Sequence, residues 1–518
     1  MKLAVSSMIS KIDSFSADKL GLSIKSLMEK SGKAVADAVR ARVNPGTSVI
    51  VLAGKGNNGG DGYAAAVSLM NEYRLTVLDV FGSGQKTEAG KYFLELYLEN
   101  GGRLLNYEPT EKIHNEIKSS DCVIDAVFGT GFVGEMPESI RPLAITVREA
   151  VGTHKIAIDV PLGINADDGS VSDFVISVEA TVALSFIKPG IISYPARAYV
   201  GEIIYDSLGL PEAEISKNFY FKYHMVDFDF VRRILPKREN NSNKGSFGKL
   251  LMITGSKKYR GAAHLSAEAA LRGGVGLVTF AGPAELLADL SGKYPEIVYK
   301  TVSDVSELTE SEENELSELS RKHTATLIGS GSDNTEGLLR LTLKLLDSEG
   351  GTLILDADAV NALSDAGEIG KQAIKNAKRP LVLTPHPLEF ARLTGDEVAN
   401  VQLHRLQKAE EFAKEYGVIL VLKGASTIVT DGETVYINAS GSSALAKAGS
   451  GDVLAGVVGA MCAQKSASDI LAATISVYIH GAAGDSLAKE FSSYGVTPSD
   501  LPKRIAEELC AIENAGEV

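Results

Sequence analysis

The run Ala448-Gly-Ser-Gly-Asp-Val-Leu-Ala-Gly456 sets a carboxylate, Asp452, just after a glycine-rich turn and just ahead of the apolar stretch Val453–Ala463. Glycines let backbone amides crowd an anion, and the unpaired N–H groups at a helix start face it. An acid there is either a helix cap, contributing about 1 kcal/mol, or a general base beside a transferring phosphoryl group, worth roughly 10²–10⁴ in rate. The run alone leaves both open; its company favours the base. Lys423-Gly-Ala-Ser-Thr427 offers a cation, a glycine turn and two hydroxyls suited to nucleotide phosphates. Thr384-Pro-His-Pro-Leu-Glu389 brings His386 to a turn, where Pro387 and Glu389 fit a helix start. Asp356-Ala-Asp358, Thr254-Gly-Ser256 and Gly329-Ser-Gly331 add acids and backbone donors. The pattern GxxxxGK[ST] is missing from the sequence, so this is not a P-loop NTPase.

A second set lies in the N-terminal half. Gly54, Gly56 and Gly59 fit G-x-G-x-x-G, with Asp79 following Gly59 at the dinucleotide-binding interval. Asn57-Asn-Gly-Gly-Asp61 is more polar than a dehydrogenase loop; its side-chain oxygens suit a hard cation or a nicotinamide amide. Asp61 reads equally as a helix cap. Asp125-Ala-Val-Phe-Gly-Thr-Gly131 and Asp159-Val-Pro-Leu-Gly163 each follow an apolar run. Any one of these acids is as readily a turn cap as a catalyst, but their joint placement after strands favours a site. Lys188, in Phe186-Ile-Lys-Pro189, is a candidate for proton transfer or a surface lysine with a buried stem.

These residues need strands to present them. Short apolar runs at 48–53, 75–81, 122–128, 155–160 and 181–186 alternate with helical patterns, beginning with one over 12–44. The alternation restarts at 249–254 and continues through 276–281, 324–328, 352–355, 380–383, 418–423 and 426–430. Strand–helix alternation predicts a parallel α/β sheet, and ligands of such sheets bind beyond the carboxyl ends of the strands. The restart predicts two domains, 1–218 and 219–518, with the polar stretch from Leu210 to Gly245 as linker or surface loop. Residues Glu307–Glu318 read as an exposed helix face.

Composition narrows the field. The chain has 518 residues, 44% hydrophobic and 23% charged, with a net charge of −14. That is globular, and without a basic block it disfavours nucleic acid. Three scattered cysteines, Cys122, Cys462 and Cys510, exclude a disulfide framework and a zinc cluster and suit a cytoplasmic enzyme. The N-terminal apolar run is too short for a signal peptide, and the longest apolar stretch is too short to span a bilayer, so no membrane partner is expected.

The motifs NNGGDG, DAVFGTG and DVPLGINADDG, over about residues 10–215, resemble the N-terminal YjeF domain, the NAD(P)HX epimerase family. GAAHLSAEAALRGGVGLV, LILDADAVNAL, TPHPLEFARL, LVLKGASTIV and KAGSGDVLAG, in order from about 227 to 512, resemble the C-terminal YjeF domain, the ADP/ATP-dependent NAD(P)HX dehydratase. The resemblance implies a Rossmann-like doubly wound sheet followed by a ribokinase-like α/β domain. It implies that R- and S-NAD(P)H hydrate are epimerised and that the S form is dehydrated to NAD(P)H at the expense of ADP, giving AMP and phosphate. By the same resemblance Asn57, Asn58, Gly59, Gly60 and Asp61, with Gly129, Thr130, Gly131, Phe132, Val133, Gly134 and Glu135, hold the hydrate in the first half, and Asp159 contacts the damaged ring as a catalytic residue. Asn58, Asp125 and the position of Leu162 form a potassium site. The family usually has Ser or Thr where this chain has Leu162, which leaves only a backbone carbonyl for the cation. In the second half Lys423, Gly424, Ala425, Ser426, Thr427 and Gly451 contact the adenine nucleotide, ADP or ATP with Mg²⁺. Ala262, Gly331, His386 and Asp452 contact the hydrate, with Asp452 deprotonating its C6 hydroxyl. The implied partners are NADHX, NADPHX and ADP or ATP, and the implied assembly is a homo-oligomer.

Two other readings stay open on sequence. One is a dehydrogenase-like half joined to a small-molecule kinase, which GxGxxG supports and NNGGDG opposes. The other makes the N-terminal half a silent nucleotide-binding module, a possibility that Leu162 keeps alive.

Overall fold

The computed structural model describes residues 1–82 and 86–515. The chain divides into two compact units, Lys2–Tyr223 and the segment from His224 onward.

The first unit is built on seven parallel strands: β1 (Ser48–Ala53), β2 (Arg74–Asp79), β3 (Arg103–Asn106), β4 (Cys122–Ala126), β5 (His154–Ile158), β6 (Ala180–Leu184) and β7 (Glu202–Asp206), in the order β3-β2-β1-β4-β5-β6-β7. The central strands are apolar throughout because the sheet buries both faces, as the buried positions of β1 and β4 show. The order reverses between β1 and β4, so the loops beyond Ala53 and Ala126 flank a crevice at the carboxyl edge.

Two expectations change here. The helical pattern over 12–44 is two helices, α1 (Ser6–Leu20) and α2 (Ile24–Arg40). Gly21, at φ 67°, ends α1 in the left-handed region, and the Ser23 hydroxyl accepts from Ser26 N to start α2. The glycine loop is also shorter than expected: α3 (Asn57–Leu69) begins at Asn57, so Asn57–Asp61 is the first turn of a helix rather than a loop. Asp61 therefore is not its cap.

The second unit carries β8 (Tyr223–Val226), β9 (Lys249–Ile253), β10 (Leu277–Gly282), β11 (Val298–Thr301), β12 (Ala325–Ile328), β13 (Thr352–Leu355), β14 (Leu381–Leu383), β15 (Ile419–Leu422), β16 (Ile428–Thr430) and β17 (Val435–Asn438). They run β8-β17-β16-β15-β14-β13-β12-β9-β10-β11, parallel from β15 to β11, with β15-β16-β17 antiparallel. Five helices matter for the site: α4 (Arg260–Arg272), α5 (Asp358–Asp365), α6 (Pro387–Thr394), α7 (Ser450–Gln464) and α8 (Asp469–Gly495). Helix α7 is buried almost all round, which explains its nearly unbroken apolar sequence. Both units are thus the expected α/β folds. The expected linker is largely ordered: it holds a helix at Glu212–Asn218, β8 and a helix at Phe228–Ile234, whose short apolar patterns the neighbouring polar run obscures. Among the described residues no helix is long and apolar enough to cross a membrane.

Candidate active sites

In the second unit the predicted residues gather at the carboxyl ends of β9, β12, β13, β14 and β15. Asp452 is the third residue of α7. The cap is Gly449, at φ 102°, and no side chain caps the helix. The plain-cap reading of Asp452 is therefore excluded. Burial, then repulsion from Asp356, pushes its pKa up to about 7, against the pull of Lys423. A carboxylate poised there suits a base at neutral pH.

Lys423 stands beside it. Its Nζ donates to Asp356 Oδ1 at 2.9 Å and lies 3.9 Å from Glu389 Oε2. Burial pulls the ammonium's pKa down, but Asp356 and then Glu389 outweigh it, so the net shift is upward and the lysine stays charged. A side chain at Gly451 would put its first carbon 3.5 Å from Lys423 Nζ, so the cation sits against the start of α7. His386 starts α6 in a reciprocal cap: its Nδ1 accepts from Leu388 N and Glu389 N, while Glu389 Oε2 accepts from His386 N at 2.7 Å. This leaves the His386 Nε2 edge, 3.3 Å from Glu389 Oε1, for a ligand. Burial, then Lys423, lowers the His386 pKa, so the ring is neutral near pH 7. Gly331, at φ 62°, packs on Ala262, whose Cβ would be 2.5 Å from a side chain there. Thr427 is buried and donates to Gly424 O, and Gly424 (φ 135°) and Ser426 (φ 50°) shape the exposed turn 424–426. Of the predicted residues of this half, Gly331, His386 and Lys423–Thr427 lie on loops that follow strands, whereas Ala262 lies in the first turn of α4 and Gly451 and Asp452 in that of α7.

In the first unit Asn58, in the first turn of α3, is 9% exposed. Its Nδ2 donates to Phe128 O at 2.7 Å, and its Oδ1 is buried with no hydrogen-bond partner. Asp125, at the end of β4, accepts from Val127 N and, at 2.6 Å, from Leu162 N. Burial pushes its pKa up to about 7 despite those two donors. An orphaned amide oxygen and a buried carboxylate on adjacent strand ends fit an oxygen-seeking cation. Leu162 departs from the expectation: it turns its N–H, not its carbonyl, toward Asp125, and that carbonyl already accepts from Ile176 N.

Asp159 lies past β5 at φ 67°, a left-handed conformation that a non-glycine residue holds only when its surroundings impose it. They do: Lys188 Nζ donates to Asp159 Oδ1 and, at 2.9 Å, to Leu184 O. Lys188 is 1% exposed, so the surface-lysine reading is overturned; its ammonium is inside because a carboxylate pairs it. Two more acids share the neighbourhood. Burial raises the pKa of Asp61 well above the carboxylate range, with Asp159 and Asp13 adding to it. Burial also raises that of Asp13, on α1, where Lys188 pulls down and Asp159 pushes up. Gly59 is held because a side chain would meet Gly54 O at 2.0 Å, and Gly129 packs on Asn58. The loop 129–135 is divided: Phe132 turns into the core against Phe128, whereas Gly131, Val133, Gly134 and Glu135 are exposed. Phe132 can thus offer a ligand only its backbone. Asp79 is buried and paired with Lys86 at 2.8 Å, so it is not a free ribose acceptor.

Sequence reasoning missed Asp13 altogether and gave Asp356 no specific role. Asp13 lies on a helix outside the strand-end loops, where no positional rule points. Asp356 carried a signal, as a buried acid at a strand end, but its link to Lys423 is visible only in three dimensions. Among the described residues no group of three His, Cys, Asp or Glu side chains is arranged to hold a metal.

Comparison with known proteins finds relatives of both halves. Residues 250–507 match the family model described as NAD(P)H-hydrate dehydratase, and residues 24–190 match that of the YjeF-related protein N-terminus. The bifunctional NAD(P)H-hydrate repair enzyme of Moorella thermoacetica is 31% identical over 97% of this chain and 95% of its own length. Its namesake from Escherichia coli is 32% identical over 94% and 89%. Among solved structures, an ADP/ATP-dependent NAD(P)H-hydrate dehydratase from Bacillus subtilis, co-crystallised with ATP/Mg²⁺, is 28% identical and covers 55% of this chain and 97% of its own, with a TM-score of 0.48.

Proposed function

Taking as premise that this chain belongs to the family of bifunctional NAD(P)H-hydrate repair enzymes, we propose that residues 1–218 interconvert the R and S hydrates of NADH and NADPH. Residues 219–518 then dehydrate the S hydrate at the expense of ADP or ATP. The observation that carries the reading is Asp452: a carboxylate held near pKa 7 by burial, at a helix start, beside a lysine that another acid has already engaged.

In the second half Asp452 takes the C6 hydroxyl proton as that oxygen attacks the terminal phosphorus of the nucleotide. With ADP the leaving group is AMP. The first-turn amides of α7 and the Lys423 ammonium offset the negative charge that spreads over the phosphoryl oxygens. Phosphate then leaves C6 as C5 gives up a proton, and the reduced nicotinamide is restored. Lys423, Gly424, Ala425, Ser426, Thr427 and Gly451 hold the nucleotide; Ala262, Gly331 and His386 hold the hydrate. Mg²⁺, carried chiefly by the phosphates, would neutralise their charge, in keeping with a pocket lacking a three-ligand protein cage among the described residues.

In the first half Asn57–Asp61 and the backbone of 129–135 hold the hydrate, and Asp159, oriented by Lys188, serves the exchange at C6. Asn58 Oδ1 and Asp125 would hold a potassium ion, with Leu162 contributing at most a carbonyl that Ile176 N already uses. Such an ion would supply fixed positive charge to the site. The protein works as a homo-oligomer in the cytoplasm.

The test supplies both hydrate epimers, ADP or ATP, and Mg²⁺. Full recovery of reduced-nicotinamide absorbance from the mixture is expected. Recovery that stops at the S fraction removes the epimerase assignment, and none at all removes the dehydratase assignment.

A further inference from the structure

We propose that Asp356, to which the scheme above gives no task, is the positioning residue that fixes Lys423 Nζ against the first turn of α7, and so sets where the terminal phosphate is held relative to Asp452. The inference rests on the dehydratase reading of that site.

A lysine ammonium on four rotatable bonds beside a free carboxylate would fold onto it. If Lys423 closed on Asp452, the base would be tied up and the phosphate would lose its cation. The structure prevents this with a second carboxylate, 1% exposed and held at both oxygens. Asp356 Oδ1 accepts from Lys423 Nζ at 2.9 Å and from Thr384 Oγ1 at 2.7 Å; Oδ2 accepts from Ser330 Oγ at 2.7 Å. The three donors come from the ends of β12, β14 and β15, so Asp356 is fixed from three directions. The backbone gives way to keep it there. Ala357 sits at φ 44° and ψ −108°, and Gly329, at φ 117°, passes so close that a side chain would lie 2.1 Å from Asp356 O. Glu389 is also near Lys423 but already has a task, accepting from His386 N. Asp356 is the acid left to anchor the lysine.

The geometry has a second effect. Asp452 faces Asp356 and Asp358 from the β13–α5 turn and Lys423 from the β15 loop, with Glu389 and His386 at α6 beside the lysine and His480 of α8 on the carbonyl of Ser450. Removing the charge of Asp356 takes away a like charge and releases a cation toward the base. Both changes favour the ionised form of Asp452.

The test is Asp356→Asn in the full chain, assayed with the S hydrate, Mg²⁺ and ADP or ATP from pH 5.5 to 9. We expect the nucleotide KM to rise at least tenfold and the acid limb of kcat to move to lower pH by half a unit or more. Lys423→Met should mask the effect, so that the double variant is no worse than Lys423→Met alone. A merely structural Asp356 would lower thermal stability and active fraction while leaving KM and the limb in place, and that result overturns the proposal, as does additivity in the double variant. Should Asp356→Asn fail to fold, Ser330→Ala keeps the charge but removes one donor. It is then expected to raise the nucleotide KM several-fold with the limb unmoved; an unchanged KM overturns the proposal. A wild-type chain without nucleotide-dependent dehydration would sink the parent reading and this one with it, whereas wild-type activity with an unmoved limb in Asp356→Asn sinks this one alone.

Discussion

Each unit pairs a lysine with an aspartate at the carboxyl ends of parallel strands, but the lysine goes to a different acid in each. In the first unit Lys188 pairs with Asp159, the acid proposed for the exchange, and the neighbouring carboxylates Asp61 and Asp13 are left with raised pKa values. In the second, Lys423 pairs with Asp356, which takes no part in the chemistry itself, and the reacting acid Asp452 is left poised near neutrality. A cation held on the neighbouring acid leaves the reacting one able to take and release a proton. The same two side-chain types thus pair at the proposed reacting acid in one half and beside it in the other.

Asp452→Ala strikes this contrast hardest. The chain should fold and exchange epimers normally, while dehydration falls by more than about 10²-fold; near-normal turnover in a coupled absorbance assay would refute the base assignment. Asp159→Ala should do the converse, slowing epimer exchange by about 10²-fold with dehydration of the S hydrate intact. Loss of both activities would mean that the halves do not act separately. The third effect is graded. Dehydration requires Asp452 ionised, so kcat should fall roughly tenfold per pH unit below about pH 7, and a pH profile of dehydration that is flat from 5.5 to 7 would contradict this. The smallest concerns stability. The folded state raises the Asp452 pKa above its unfolded value. The stability this confers is present below the unfolded pKa near 4 and is lost as pH rises through about 7. Asp452→Asn removes that loss, so its melting temperature should exceed the wild type's at pH 8 by a few degrees, at roughly 2–4 °C per kcal/mol, and by clearly less at pH 5. An equal gain at both pH values would mean that burial of the charge is not the cause.

Much of this was legible in the sequence because the strands that present both sites run parallel. Strands buried on both faces appear as bare apolar runs, and the first polar residues after each run are the ones the sheet presents, which is how Asp125, Asp159, His386 and Lys423 stand out. The glycine run before α7 marked Asp452 in the same way. What stayed hidden depended on distance in the chain. Asp13 reaches the first site from a helix near the N-terminus, 146 residues before Asp159. Lys188 could be read as a surface lysine because nothing in FIKP shows that an acid 29 residues earlier would pair with it. The helix starting at Asn57 was misplaced because glycines are poor helix formers, and they are tolerated here since Gly54, Gly59 and Gly62 allow close backbone packing.

Gly456 lies one turn past Asp452, and α7 leans there directly on α4: a side-chain carbon would come 2.2 Å from the carbonyl oxygen of Ser266. Two rods touching at their backbones form a fulcrum. Even one methyl group inserted at that point would lever the amides and carboxylate at the tip of α7 off target, although it touches no substrate. Harmful variants of this enzyme should therefore occur at such hidden pivots as well as in the pocket lining, and a survey limited to residues that meet a ligand would overlook them.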